Sequence, residues 1–467
     1  MECLACHAVN ADRVRSCTVC SASLIPARTQ WELDRAEVEI KKGRFELAAL
    51  HLAKADGGLL QLPASDNYRQ FLSARAFWLQ GLIYYYHAQT DAAAAEMAQA
   101  ADLLEGYTGG EGLRAQALIN LGNINYYKGH MEVAASYYDQ ATEMAVLAGA
   151  HTAAARAMNN RANIHSAHGQ SVDALNLYHA ALHQAELSGD ATALAGCYRL
   201  LSATYQQIGP YSQALEFVNK ALSLRGQIDD QAVVCQIINQ AASLYLTYGD
   251  LEQAEQYLRE AYDQARREGN KLLQWEIVNN LIELSRQKGD TERWFNYASR
   301  TFNNPSTTLG KTSAALQLVR YYLSQSEAEQ ARIYVRWLKN NALAADRQLE
   351  DELMYNQAAA LLHTAEESWG VADSFFQRAI EVAAEQDNPI REAEVCEEYA
   401  AMLRQQASSE NSHTAASHAE ATLRRAADLY RQLGIPSRLQ AVEIALRQPQ
   451  PESRSELAVD KLKQAQL

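Results

Sequence analysis

Four of the seven cysteines lie within the first 20 residues of this 467-residue chain, in the pattern Cys-x2-Cys-x10-Cys-x2-Cys. Each Cys-x2-Cys turn can present two thiolates to one ion, and two such turns complete the tetrahedral sulfur site that Zn²⁺ favours. The candidate ligands are Cys3, Cys6, Cys17 and Cys20. Because four protein ligands leave no open position for water or substrate, we expect one structural Zn²⁺ rather than a catalytic one.

Two other uses compete for these cysteines. Disulfides form mainly in exported proteins, but residues 1–3 show neither the basic nor the apolar region of an export signal. Residues 3–7 read CLACH, which also matches the c-type haem attachment motif CxxCH. Haem attachment needs export as well, and it leaves the second cysteine pair without a role. The sequence therefore favours zinc and a cytoplasmic location.

Residues 1–25 resemble the short N-terminal zinc ribbon of many bacterial multidomain proteins, although His7 and Ser21 replace the glycine usual after each knuckle. The resemblance implies a small domain held together by its metal, with docking as a further role. Arg13 and Arg15 could contact a phosphate or a carboxylate there. The chain has 42 basic and 56 acidic residues, a formal net charge of −14, and this charge disfavours nucleic-acid docking.

Catalytic patterns are missing from the rest of the sequence. There is no glycine-rich phosphate loop, no GxSxG and no HExxH. His165 and His168 lie three residues apart without further metal ligands nearby, and we expect His165 in the core. We expect Glu394, Glu397 and Glu398 on a solvated face, with no partner that shifts their pKa. The sequence therefore predicts a protein that is not an enzyme.

The composition indicates helices joined by tight connections. The chain has 8 prolines and 22 glycines, whereas average use predicts roughly 23 and 33. An all-β fold would need many Gly/Pro-rich turns, so the shortage disfavours it. No segment reaches the ~18 uninterrupted apolar residues that a membrane span needs.

A repeat of 40 residues runs through the middle of the chain. Glycines recur at this spacing at Gly129, Gly169, Gly209, Gly249 and Gly289. Seven residues before them a mostly small residue recurs, at Gly122, Ala162, Ser202, Ala242 and Ile282. Alanines follow the first four glycines by five residues, at Ala134, Ala174, Ala214 and Ala254. Small residues are needed where two helices cross, so each unit is predicted to be a helix pair with a glycine turn, and the units to stack as a solenoid.

These columns resemble the tetratricopeptide repeat, whose usual unit has 34 residues. The resemblance implies an all-α, right-handed solenoid of nine to ten helix pairs over residues 31–446, after a zinc ribbon at 1–25. Its columns weaken after Gly289, where Ser326 and Glu367 stand at the turn position. We expect the polar stretch 406–417 to be a disordered loop, and residues 447–467 to be a partly disordered tail with one short helix after residue 455.

The inner wall of such a solenoid is lined by the first helix of each pair. Asparagine is a mediocre helix former, so its recurrence on these helices needs a reason. Asparagine ladders in several tetratricopeptide proteins hold an extended peptide, because one amide can pair with both groups of a peptide unit. The resemblance thus gives as partner-binding candidates Asn120, Asn123, Arg156, Asn159, Asn160, Asn163, Arg199, Asn239, Gln240, Asn279 and Asn280. The alternative is that these side chains are solvated or link adjacent repeats.

The function expected from these patterns is that of a scaffold or adaptor that binds a peptide segment of a partner protein in its concave groove. The alternative is a regulatory sensor whose groove binds a signalling peptide or small molecule. Nucleic-acid docking through the zinc ribbon is a weaker third hypothesis.

Overall fold

The computed structural model describes residues 6–9, 16–20, 22–267, 271–304, 310–342 and 349–447. Cys3 and the expected tail helix after residue 455 lie outside these residues. Within them the chain forms 21 α-helices and one short 3-10 helix, and an isolated β bridge joins Ser16 and Ser23. No helix in these segments is long and apolar enough to cross a membrane. The all-α prediction is confirmed.

The helices follow one another as consecutive pairs, with one further helix at the end. Their bounds are α1 Ile25–Lys41, α2 Phe45–Leu59, α3 Asn67–Tyr86, α4 Thr90–Leu103, α5 Glu111–Tyr127, α6 Met131–Leu147, α7 His151–Ala167, α8 Ser171–Ser188, α9 Ala191–Ile208, α10 Tyr211–Ser223, α11 Gln231–Tyr248, α12 Leu251–Arg267, α13 Lys271–Gln287, α14 Thr291–Phe302, α15 Lys311–Ser324, α16 Ala328–Ala342, α17 Leu349–Ala365, α18 Trp369–Glu385, α19 Pro389–Glu410, α20 His413–Leu433 and α21 Pro436–Arg447.

The chain divides into two compact units. The first comprises Met1–His165 and Asn176–Ala193, and the second comprises Ser166–Leu175 and Leu194–Leu467. Each is a stack of helix pairs, in which a second helix packs against its own first helix and against the first helix of the next pair.

The residue between the two helices of a pair ends the first helix in the left-handed conformation. The predicted turn glycines all have positive φ, for example 73° at Gly169 and 71° at Gly289. The same conformation occurs where the repeat has lost its glycine, at Ala88, Ser326 and Glu367, with φ of 59°, 62° and 54°. The repeat therefore continues in phase beyond the part that glycine marks.

The recurring small residues lie where the two helices of a pair cross. A Cβ on Gly122 would stand 2.5 Å from a ring carbon of Tyr138, so only glycine fits under that ring. Ala134, Ala174 and Ala214 have no exposed surface. The predicted alanine column is thus confirmed as core.

The expected disordered loop at 406–417 is wrong. Helix α19 runs to Glu410, Asn411 ends it with φ of 52°, and α20 begins two residues later. The Ser412 side chain accepts a hydrogen bond from the backbone N–H of Ala415 at 3.2 Å, so it caps α20. Ala419 and Leu423 then bury the inner face of the helix. The serine-rich composition therefore reflects a cap and an exposed helix face.

Within the second unit, turns of early repeats contact the last repeats of the chain. A Cβ on Gly169 would stand 2.8 Å from Cα of Gln386, and one on Gly209 would stand 3.1 Å from Cα of Leu433. The Ser437 hydroxyl at the start of α21 donates to the backbone carbonyl of Tyr248. The first-helix side of this unit is therefore closed by contacts between its early and late repeats.

Candidate functional site

Three of the four predicted zinc ligands come together near the N-terminus. The Sγ atoms of Cys6, Cys17 and Cys20 all lie within 4.8 Å of one another, and those of Cys6 and Cys17 are 3.5 Å apart. The backbone N–H of Val19 donates to Sγ of Cys17 at 3.4 Å, as expected for a knuckle that turns its thiol inward. This cluster can bind a metal ion, and soft thiolate ligands suit Zn²⁺.

The asparagines of the first unit are linked to tyrosines of the second helices. Oδ1 of Asn123 accepts from the hydroxyl of Tyr138 at 2.8 Å and from Nδ2 of Asn160 at 2.9 Å. Oδ1 of Asn163 accepts from the hydroxyl of Tyr178 at 2.6 Å, one repeat later. These bonds fasten the first helices to their own second helices and to each other. The other predicted residues here are Asn120, which is half-buried, Asn159, which is buried, and Arg156, which is exposed.

In the second unit, amide side chains form a ladder across successive first helices. Nε2 of Gln240 donates to Oε1 of Gln206 at 2.8 Å, and Gln206 in turn donates to the hydroxyl of Thr247 at 2.8 Å. Nδ2 of Asn280 donates to Oδ1 of Asn239 at 2.9 Å. The ladder joins α9, α11 and α13. Arg199 is half-buried on α9.

The same helices enclose a cavity of about 500 Å³ in the second unit. First helices from α9 to α19 and the final helix α21 line it, and Gln240, Asn279 and Asn280 are among the lining residues. Oδ1 of Asn279 is buried and has no hydrogen-bond partner among the described residues. The volume lies within the usual range of sites for small ligands, roughly 300–1,000 Å³. Its lining is largely polar, whereas most sites for small ligands are lined mainly by apolar side chains.

Charged side chains from distant repeats meet in this cavity, and the expectation of a solvated glutamate face on α19 is wrong. Arg320 donates from Nε and Nη2 to Oε1 of Glu398, at 3.2 and 2.8 Å. Gln357 donates to Oε2 of the same carboxylate at 2.6 Å. Glu394 accepts from Nη1 of Arg391 at 3.0 Å and lies 3.5 Å from Nη2 of Arg438.

Glu397 is the third of these glutamates, and its hydrogen-bond donor is a hydroxyl rather than a guanidinium. One of its carboxylate oxygens accepts a hydrogen bond from the hydroxyl of Tyr430, which is fully buried on α20. Burial raises the pKa of Glu397, and the nearby carboxylates of Glu394 and Glu398 add to that rise against the charge of Arg438. The expectation of unshifted glutamates is therefore wrong for Glu397.

Glu283 on α13 has a pKa that is shifted in the opposite direction. Burial alone would raise its pKa, but hydrogen bonds from Arg286 and Gln287, with the charge of Arg286, outweigh it and lower the pKa to about 2. Nε of Arg286 donates to Oε2 at 2.9 Å, and Gln317 reaches the same oxygen at 3.4 Å. This carboxylate is therefore ionised at neutral pH and held by three side chains.

The charged residues of the cavity were not predictable from the repeat pattern. Arg320, Arg391 and Arg438 lie where the repeat columns weaken, and each contacts a carboxylate on another helix or on the next turn of its own helix. The available signal was the spacing of Glu394, Glu397 and Glu398, which places all three on one helix face. In the structure, that helix face lines the cavity. His165, expected in the core, is half-buried.

No protein-family model and no curated protein matches this chain. Solved structures share its fold. A Rap protein complexed with the Competence and Sporulation Factor aligns with a TM-score of 0.54 and 13% identity, over 77% of this chain and 99% of that one. The apo form of RapI aligns at 0.53 and 14%, over 76% and 98%. NprR in complex with its cognate peptide NprX aligns at 0.51 and 15%, over 76% and 99%. At these identities the similarity shows a tetratricopeptide-like helical repeat fold.

Proposed function

We propose that the chain is a non-enzymatic, cytoplasmic interaction protein that binds a peptide in the polar cavity of its second unit. The observation that carries this proposal is the cavity itself, lined by amides and ion pairs on the first-helix side of the repeats. Amide side chains such as Gln240 and Asn280 can bond both the N–H and the C=O of a peptide unit. Amides that bond the peptide backbone need no particular peptide side chain. They can therefore supply affinity, while selectivity for one peptide must come from other groups of the cavity.

The NprR structure supports the choice of a peptide, because a protein of the same fold was solved with a cognate peptide bound. A sensor is the second candidate function. In this chain the early turns of the second unit contact its last repeats, so a ligand between the first helices can change how tightly that unit closes. An adaptor would hold its peptide without such a change.

The experiment uses a synthetic library of unmodified heptapeptides with free termini, enriched on the immobilised full chain. The dissociation constants of enriched peptides are then measured by isothermal titration calorimetry. The double variant Gln240→Ala/Asn280→Ala should weaken binding at least about tenfold, since lost hydrogen bonds to a bound peptide contribute ~0.5–1.5 kcal/mol each.

The matched control is Asn120→Ala/Asn160→Ala, which removes two predicted residues of the first unit. If the second-unit cavity is the site, this control should change affinity less than about threefold. Loss of binding in the control alone would place the peptide on the asparagines of the first unit instead. A library that yields no binder to the wild-type chain would contradict both assignments.

We propose further that the N-terminal cysteines form a structural Zn²⁺ site with Cys3 as the fourth ligand. Cys17→Ser should lower the bound zinc from one equivalent per chain to well below one, because a hydroxyl is a poor zinc ligand. Cys197→Ala, which removes a buried cysteine of α9, should leave the zinc content unchanged. Metal content is measured by inductively coupled plasma mass spectrometry after dialysis. Equal zinc in wild type and Cys17→Ser would contradict the site.

A further inference from the structure

The cavity of the second unit contains four carboxylates, and one of them is held differently from the others. Glu283, Glu394 and Glu398 each accept hydrogen bonds from a guanidinium, supplied by Arg286, Arg391 and Arg320. Among the contacts of the described residues, Glu397 accepts from the neutral hydroxyl of Tyr430 and forms no ion pair within 4 Å. The charge of Glu397 is therefore the least compensated of the four.

The charge of Arg438 acts on Glu397 from a distance, but the guanidinium itself contacts other groups. Its guanidinium carbon lies 5.8 Å from the centre of the Tyr430 ring, and its Nη2 lies 3.5 Å from Glu394. Two arginines thus share Glu394, whereas Glu397 has no direct cation. Burial without a paired cation is unfavourable for a carboxylate, and it raises the pKa of Glu397.

A second, independent observation concerns Asn279, which lines the same cavity. Its Oδ1 is buried and has no hydrogen-bond donor among the described residues. Glu397 and Asn279 both offer acceptors, so a ligand that fits this wall must supply N–H donors. A divalent metal ion is a poor match, because Glu283, Glu394 and Glu398 are already engaged by arginines and metal sites need several free oxygen ligands.

We propose that the second-unit cavity contains a subsite for a cationic group of its peptide ligand, with Glu397 as the carboxylate that binds it. This inference rests on the proposed peptide binding and specifies the chemistry of the ligand. The cation is an ammonium or a guanidinium, and it comes either from the N-terminus of the peptide or from a lysine or arginine side chain. Asn279 supplies a neutral acceptor in the same cavity.

The experiment uses heptapeptides enriched from the unmodified library on the full wild-type chain. Each is resynthesised in two altered forms, one with an acetylated N-terminus and one with norleucine or norvaline in place of its lysine or arginine. On the wild type, one of these two changes should weaken binding at least about tenfold, and which one does so identifies the source of the cation. Calorimetric dissociation constants supply the readout.

The variant Glu397→Gln keeps an acceptor for Tyr430 and removes the charge. It should weaken the cationic peptide at least about tenfold and change binding of the neutralised peptide less than about threefold. Tyr430→Phe is the control, since it removes the hydroxyl but keeps the carboxylate, and it should preserve the preference for the cationic peptide. The peptide comparison on the wild type stands even if Glu397→Gln fails to fold.

Two results would overturn this inference. In one, neither peptide change weakens binding to the wild type. In the other, Glu397→Gln weakens the cationic and the neutralised peptide by the same factor. Both leave peptide binding in place and remove only the cation subsite. Failure of the whole library to yield a binder would overturn the proposed function instead.

Discussion

Gly169→Ala should destabilise the second unit by about 2–5 kcal/mol. Part of this cost is conformational, because alanine in the left-handed region is less stable by ~1–2 kcal/mol. The rest is steric, because the new Cβ would stand 2.8 Å from Cα of Gln386, and overpacking against a backbone costs ~1–3 kcal/mol. The measurement is the urea midpoint of unfolding, followed by circular dichroism.

Gly289→Ala provides a closely matched control. Gly289 has φ of 71° against 73° at Gly169, but nothing lies within 4 Å of its added Cβ. Its substitution should cost only the conformational part, ~1–2 kcal/mol. The difference between the two variants therefore measures the contact between early and late repeats. Equal destabilisation by both substitutions would show that this contact contributes nothing to stability.

Glu283→Gln should destabilise the chain at pH 7 by about 3 kcal/mol at most, and the effect should shrink in acid. The pKa of Glu283 falls from 4.5 to about 2 in the folded state, and one pKa unit corresponds to ~1.36 kcal/mol. A folded-state pKa below the unfolded value gives stability that is present above about pH 4.5 and lost as the pH falls toward 2. Glutamine cannot ionise, so wild type and variant converge over that window.

The check is the melting temperature of both proteins at pH 7, 5, 4 and 3. Glu260→Gln is the control, because Glu260 pairs with Arg225 at 3.7 Å with both side chains about half exposed. An exposed pair contributes only ~0–1 kcal/mol, so this variant should differ little from wild type at any of these values. A gap between wild type and Glu283→Gln that stays constant down to pH 3 would contradict the assignment.

The helix-pair fold was predictable because its signal is local and repeated. A glycine that ends a first helix, with small residues where the helices cross, marks one unit by itself, and the 40-residue spacing marks the stack. The signal weakened where Ala88, Ser326 and Glu367 took the glycine position. A left-handed residue other than glycine costs only ~1–2 kcal/mol, so the fold survives where the sequence pattern does not.

The cavity was predictable only in part. The amides of Gln240, Asn279 and Asn280 were identified because asparagine and glutamine recur on first helices. The ion pairs were not, since Arg320 meets Glu398 from a helix two pairs away and no spacing rule connects them. Burial of a charged helix face depends on how the repeats curve, and a single repeat carries no information about that curvature.

The most direct test of peptide binding in the second unit is photo-crosslinking. A heptapeptide enriched from the library carries a benzophenone at one position, is irradiated with the full chain, and is mapped by mass spectrometry. Crosslinks should fall on the cavity-lining helices Gln231–Tyr248, Lys271–Gln287 and Pro389–Glu410. Excess unlabelled peptide should suppress them. Crosslinks confined to the first unit, or to the second helices of the pairs, would contradict the proposed site.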